Sequence, residues 1–186
     1  MDTKKKPFIT TRDLVMIAFM AAILCVCSWI TIPFTIPFTM QTFGVFCSVL
    51  LLGGFQGTLS IILYLLLGII GLPVFSGFQA GIGHVLGPTG GYMVGFLLTG
   101  LAFILMKPLI DKNRRFRYLA LLIGLVACYL FGSLWFWVVY TSKGQPMGLW
   151  KILTVCVLPY IIPDLLKMAL AVFVCDRVRR LIPRSS

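Results

Sequence analysis

The chain has 186 residues, 60% of them hydrophobic and 11% charged, with a formal net charge of +11. Soluble domains average nearer half apolar and about a quarter charged, so an ordinary water-soluble fold is excluded and the surplus apolar surface is expected to face lipid. At about 20 apolar residues per spanning helix, the length accommodates roughly six spans with short connections and leaves no room for a soluble catalytic domain.

The elements are predicted in chain order as follows. Span 1 runs from about Leu14 to Ile32 and is ended by the doubled Ile-Pro-Phe-Thr at 32–35 and 36–39, because two prolines four apart force extended backbone. Span 2 runs from Gln41 to Leu52 and stops at Gly53-Gly54. Span 3 runs from Gly57 to Ile70 and stops at Gly71-Leu72-Pro73. Both are shorter than a bilayer requires. The connection from Val74 to Gly91 is too apolar for a solvated loop and too rich in glycine for a helix. Apolar non-helical backbone is tolerated at membrane depth only where it packs on protein or lines a cavity. A loop folded over the bundle as a cap fits that rule; the alternative is an ordinary connection with glycine turns. Span 4 runs from Tyr92 to Met106, span 5 from Tyr118 to Tyr140, and span 6 from Leu149 to Cys175.

Charge tests this count. Thirteen of the 16 Lys and Arg fall in three clusters: Lys4, Lys5, Lys6 and Arg12; Lys107, Lys112, Arg114, Arg115 and Arg117; Arg177, Arg179, Arg180 and Arg184. Basic connections stay in the cytoplasm. Six spans place all three clusters on one side, so an all-α bundle of six transmembrane helices with both termini cytoplasmic is expected, in the cell membrane. Residues 1–13 form a basic N-terminus, 14–175 the bundle and 176–186 a basic tail, one domain in all. Grouping between apolar spans also removes nucleic acid as the reason for the positive charge.

The six cysteines all fall in or beside apolar stretches, and Cys25-x-Cys27 has no histidine near it, so reduced thiols acting as small hydrophobes are expected. The basic start continues into a long apolar run without a small-residue cleavage site, so no cleavable signal peptide is expected.

Five acidic residues occur, none of them Glu, and only Asp164 lies inside a span; Lys167, three positions on, is the only basic residue in a span interior. The two share one helix face and form the one buried ionic pair expected in the chain. Each charge at mid-membrane costs roughly 2.5–3.5 kcal/mol on insertion scales, against a gain of about 0.3–0.6 per Leu or Ile. Such residues face the bundle interior and mark a functional site, unless the pair serves only to neutralise itself. Pro159 and Pro163 are expected to kink span 6 and free carbonyls just ahead of Asp164, as in the broken helices of transporter pockets. Catalysis is poorly supplied. There is one histidine, His84, no His-Glu zinc motif, no Gly-x-Ser-x-Gly elbow and no Gly-Lys phosphate loop, so no enzyme, metal or cofactor is expected and the chain cannot hydrolyse ATP itself. Asp164 accepts hydrogen bonds and Lys167 donates up to three, which suits a ligand with adjacent N–H donors and a carbonyl or carboxylate. Apolar walls are expected from Phe34, Phe38, Phe75, Phe78, Tyr92, Trp135 and Tyr140. Ala18-x-x-x-Ala22 permits close helix packing, within this chain or against another.

The stretches Ile36-Pro-Phe-Thr-Met-Gln-Thr42, Leu65-Leu-Leu-Gly-Ile-Ile-Gly-Leu-Pro-Val-Phe75, Leu86-Gly-Pro-Thr-Gly-Gly-Tyr92 and Pro163-Asp-Leu-Leu-Lys167 occur in an order that resembles the BioY family. Its members are the biotin-binding substrate subunits, or S components, of energy-coupling-factor (ECF) transporters. The resemblance implies high-affinity capture of biotin from the external side. It also implies a partner module of one transmembrane coupling protein and two ATPase subunits, which use the ATP. The candidate biotin-binding residues are Asp164 and Lys167, joined by Gln41, Gln79, Gly81, His84, Tyr92 and Tyr140, with a covering loop at 77–87. The alanine motif that docks the coupling protein corresponds to Ala18 and Ala22. The covering loop departs from the small Gly/Ser-rich form common in the family by carrying Phe78, Gln79 and His84. The ureido N–H groups and carbonyl of biotin suit Asp164 and Lys167, though its carboxylate could take Lys167 instead. The rival is a self-sufficient facilitator or proton-coupled carrier with Asp164 as proton site. The absence of inverted repeats weighs against it.

Overall fold

The computed structural model describes residues 9–33, 37–144 and 148–181. The described chain is almost wholly helical. Helix α1, Thr11–Trp29, is capped by Thr10: its hydroxyl accepts from the Asp13 N–H (3.3 Å), and the Asp13 carboxylate accepts from the Thr10 N–H (2.8 Å). That reciprocal box satisfies donors a helix start leaves bare. The proline-rich segment after it contributes two short strands, β1 (Thr31–Ile32) and β2 (Phe38–Thr39), paired antiparallel with Thr31 opposite Thr39. Extended backbone was expected there; the pairing between its two halves was not. Phe34, one of the expected wall residues, lies outside the described residues.

Helices α2 (Gln41–Leu52) and α3 (Gly54–Ile69) form a hairpin turned on Gly53, whose φ of 89° is a left-handed value that glycine reaches without strain. A single residue makes the turn, so α3 begins three residues earlier than the Gly57 expected. Gly57 instead packs against α2: a Cβ there would sit 2.8 Å from the Val49 Cα. At 1.5 Å per residue, α2 is about 18 Å long, short of a hydrocarbon core. It is the central helix, packed against α1, α3, α5 and α9, and most of it is buried.

The connection after α3 contains a 3-10 turn, Ser76–Phe78, and one helical turn, α4 (Ile82–Val85). Helix α5 (Gly90–Leu105) leads through the short α6 (Lys107–Lys112) to α7 (Phe116–Ser142). The most extensive helix contact in the molecule is between α5 and α7. Small residues set it. Gly91, Gly95 and Thr99 recur every four residues on α5, and Gly124, Cys128 and Gly132 on α7. A Cβ at Gly91 would meet the Trp135 side chain at 2.2 Å, and one at Gly132 would meet Tyr92 at 2.2 Å. These stripes bring the two backbones together as small-xxx-small spacings do. Ala18 and Ala22 do not take part in such packing; both lie on the exposed face of α1 with Val15, Phe19 and Val26.

The expected single, kinked span 6 is two helices, α8 (Leu149–Cys156) and α9 (Leu158–Leu181), parted at Val157 with φ −122° and ψ −57°. Pro159 is the physical reason: its ring would clash with the carbonyl four residues back if the helix ran on, whereas as the second residue of a new helix its missing N–H removes nothing. Pro163 lies inside α9, one residue ahead of Asp164.

Three helices, Thr11–Trp29, Phe116–Ser142 and Leu158–Leu181, are long and apolar enough to cross a membrane, and α2, α3 and α5 are shorter apolar helices. On α9 the buried Asp164, Lys167, Ala171 and Cys175 form one face, while Ile162, Leu166, Leu170 and Phe173 form an exposed apolar one. Leu119, Leu122, Val126, Leu130 and Leu134 make a similar exposed band on α7. Continuous apolar surface of this extent is avoided in water. All six cysteines are free thiols and buried.

Candidate functional site

The starts of α2 and α9, the middle of α7 and strand β2 meet around one polar cluster. Asp164 and Lys167 are only 4% and 6% exposed. Lys167 Nζ donates to Asp164 Oδ1 at 2.9 Å and to the Thr39 carbonyl at 2.7 Å. The Phe38 ring centroid lies 3.9 Å from the same nitrogen, a cation–π contact. Asp164 Oδ1 also accepts from the Thr42 hydroxyl at 2.9 Å, and Oδ2 from the Tyr129 hydroxyl at 2.5 Å. The carboxylate thus holds three donors from three helices. The β1–β2 hairpin explains why the lysine can be buried: it folds the Thr39 carbonyl and the Phe38 ring back over the ammonium.

A second chain of polar groups adjoins the first. Thr39 Oγ1 donates to Gln41 Oε1 (3.0 Å), and Gln41 Nε2 donates to the Tyr64 hydroxyl (2.5 Å). Tyr92 OH and Ser133 Oγ are 3.2 Å apart.

These groups line a narrow cavity. Its volume is about 70 Å³. Thr39, Thr42, Asp164 and Lys167 make its polar wall; Tyr92, Met93, Phe96, Tyr129 and Tyr160 make the apolar ones; Ser76, His84 and Thr89 close it from the connection between α3 and α5. That mix of apolar walls and a few fixed polar groups is the usual composition of a small-molecule site.

The covering segment is anchored on both sides. Trp29 Nε1 donates to the Pro73 carbonyl (2.9 Å) and Ser28 Oγ to that of Val74, both from α1. Trp135 Nε1 on α7 donates to the Gly87 carbonyl (3.0 Å), and the Gly81 N–H reaches the Gly68 carbonyl on α3 (2.7 Å). Phe75 is buried beneath it, edge-on to Tyr64 (5.7 Å) and stacked under His84 (5.3 Å). Only Gly68 leaves room for that ring, since a Cβ there would lie 2.0 Å from Phe75 Cζ. Burial holds the His84 imidazole below its ordinary pKa, so it faces the cavity as a neutral ring at pH 7.

Of the residues singled out from sequence, the structure brings together Asp164, Lys167, Gln41, His84 and Tyr92 around the cavity. It does not bring Gln79, Gly81 or Tyr140 to its lining. The Gln79 side chain is exposed, and its carbonyl accepts the Phe75 N–H (3.0 Å). Gly81 shapes the covering segment with φ 89°. Tyr140 stacks on Phe136 at 4.4 Å, in the apolar cluster of Tyr92, Ile152 and Cys156 behind the cavity wall. Phe78 is exposed and stacks on Trp29 at 5.3 Å. Sequence reasoning missed Thr42, Tyr129, Tyr160 and the Thr39 carbonyl. It also missed a second ion pair, Arg117 to Asp176 at 2.7 Å, in which the Asp176 side chain is 34% exposed; Asp164–Lys167 is the one ion pair among the described residues with both partners buried.

Known proteins resemble this chain over most of its length. The probable biotin transporter BioY of Pyrococcus horikoshii is 36% identical over 170 residues, 90% of this chain and 96% of that protein. The biotin transporter BioY of Thermotoga maritima is 36% identical over 173 residues, 91% of this chain and 97% of its own. A crystal structure of the S-component for biotin from an ECF-type ABC transporter superposes with a TM-score of 0.79 at 29% identity, covering 91% of each chain. The BioY family profile matches residues 1–184, and the chain belongs to the BioY family.

Proposed function

We propose that this chain is the biotin-binding S component of an ECF-type transporter, and a binding subunit, not an enzyme. The observation that carries the reading is the cluster of Asp164, Lys167, Thr42 and Tyr129 in the wall of a mostly apolar cavity. Asp164 and the hydroxyls would take the ureido N–H groups, and the ammonium the ureido carbonyl or the carboxylate. Tyr92, Phe96 and Tyr160 offer walls for the thiophane ring and acyl chain. His84, neutral, would close the site without adding charge. Because Asp164 is tied to three donors in a fixed network, orientation of a ligand suits it better than the proton relay of a self-sufficient carrier.

The finer parts of the proposal follow from the same frame. Six helices would cross the cell membrane with both termini cytoplasmic, the covering segment external and one domain throughout. Biotin would be bound from outside with high affinity. Ala18 and Ala22, exposed on α1, would dock a transmembrane coupling protein carrying two ATPases, whose ATP hydrolysis drives uptake. Identification of the small molecule retained by the purified full-length protein, by mass spectrometry after growth on biotin, tests the reading. Biotin at near-equimolar ratio is expected; a different retained ligand, displacing biotin, would overturn it.

A further inference from the structure

A second charged cavity lies at the opposite end of the bundle. Asp164 and Asp176 are twelve residues apart on α9, about 18 Å along the axis. Beside Asp176, the guanidinium groups of Arg114, Arg117, Arg179 and Arg180 line a cavity of about 180 Å³. One carboxylate among four arginines leaves three positive charges in excess. Arg114 and Arg117 are close enough to Arg179 to repel it.

Two of the arginines are partly committed to the fold. Arg179 Nη2 donates to the Leu50 carbonyl, one of the last carbonyls of α2. Arg117, 8% exposed, uses Nη2 for both Asp176 (2.7 Å) and the Tyr118 hydroxyl (2.9 Å). Its Nε–H is buried and has no hydrogen-bond partner among the described residues. Asp176 and the Tyr118 hydroxyl between them take both Nη2 hydrogens, so the Nε–H is left as a single unpaired donor. Guanidinium N–H groups suit the oxygens of a phosphate or carboxylate, and a buried unpaired donor costs on the order of 1–3 kcal/mol.

The adjoining surface points to the kind of anion. A larger groove of about 770 Å³ shares Arg114 and Arg179 with this cavity and continues over Leu52, Phe103, Ile104 and Ile110, with Lys107 and one carboxylate, Asp111, at its side. An arginine cluster opening on an apolar groove between helices combines a phosphate cradle with a bed for an acyl chain.

We propose that Arg114, Arg117, Arg179 and Arg180 form a binding site for a phosphate ester, the headgroup of an anionic phospholipid. The test uses the purified full-length protein in neutral detergent, read by native mass spectrometry and by thermal unfolding. Phosphatidylglycerol, phosphatidylcholine and inorganic phosphate are added separately to the wild type and to an Arg114→Gln/Arg180→Gln variant. That variant spares the Arg117–Asp176 pair and the Arg179–Leu50 bond, so it is expected to fold and to keep its affinity for biotin. Phosphatidylglycerol is expected to bind and stabilise selectively, with about 30-fold weaker binding in the variant, from about fivefold per arginine. An equal response to inorganic phosphate, lost in the variant, supports the site and assigns it to a free anion. Equal responses to the two lipids with none to phosphate, or unchanged anion affinity in the variant, would overturn the proposal. So would a variant that loses only its association with a partner protein.

Discussion

Asp164 was legible from sequence because an ionised side chain in a span carries a large cost that composition alone exposes. Thr42 and Tyr129 were not. A neutral hydroxyl costs little in an apolar helix, so nothing marks the one that reaches a carboxylate. The Thr39 carbonyl carries no sequence signal at all. Its role depends on a hairpin that places backbone over Lys167. The network also fixes what single changes do. Removing one partner of a buried pair leaves the other uncompensated, at about 3–5 kcal/mol. Lys167→Met is therefore expected to destabilise the fold by about that much, whereas Asp164→Asn/Lys167→Met recovers most of it, as measured by unfolding in detergent. Tyr129→Phe removes a hydrogen bond to a charged group and is expected to cost about 1.5–3 kcal/mol in the same assay. A double variant no more stable than Lys167→Met would contradict the pairing.

His84 gives a prediction of opposite character. Burial lowers its pKa in the folded protein, while the unfolded chain titrates near about 6.5. The stabilisation from holding it neutral is complete above that value and is lost as pH falls through it, because the unfolded state then binds the extra proton. Between about pH 7.5 and about pH 5.5, the fall in unfolding midpoint should be smaller in His84→Gln than in the wild type. An equal fall in both would count against a half-buried, neutral imidazole.

Among the elements, the sequence located α1, α2, α3, α5 and α7 to within a few residues, because hydrophobic length and glycine or proline punctuation are local properties. It failed where the outcome depended on a neighbour. Pro159 was expected to kink span 6, but the alternative of starting a new helix on it, and so losing no hydrogen bond, was the one adopted at Val157. Within this chain the stripes that bring helices together are those of α5 and α7, which sequence reasoning did not single out; Ala18 and Ala22 on α1 are exposed, as a partner-docking face would be. The covering segment offers a paired test. Gly68→Ala places a methyl 2.0 Å from the Phe75 ring, whereas nothing lies within 4 Å of a Cβ at Gly83. The first is expected to cost about 1–3 kcal/mol and to raise hydrogen exchange across residues 73–87. Gly83→Ala, in the helical turn α4, should leave exchange there unchanged or slower. Similar exchange in both variants would mean that Phe75 does not anchor the segment.

At the scale of the whole molecule, exposed apolar bands on α7 and α9, a polar cluster at the interior and membership of the BioY family converge on one description. The exposed alanine face of α1 has a separate consequence. Ala18→Arg/Ala22→Arg should retain the fold and biotin binding yet lose co-purification with a coupling protein, because neither side chain touches the cavity. Loss of biotin binding in that variant would show that the face is tied to the site. The most direct measurement is an equilibrium titration of biotin into purified wild-type protein and into Asp164→Asn, each checked for helical content. The wild type is expected to bind one biotin per chain. The variant should bind at least about 30-fold more weakly, the lower end of what truncating a buried charge pair costs, with helicity unchanged. A well-folded variant that binds biotin as tightly as the wild type, or a wild type that does not bind it, would contradict the account.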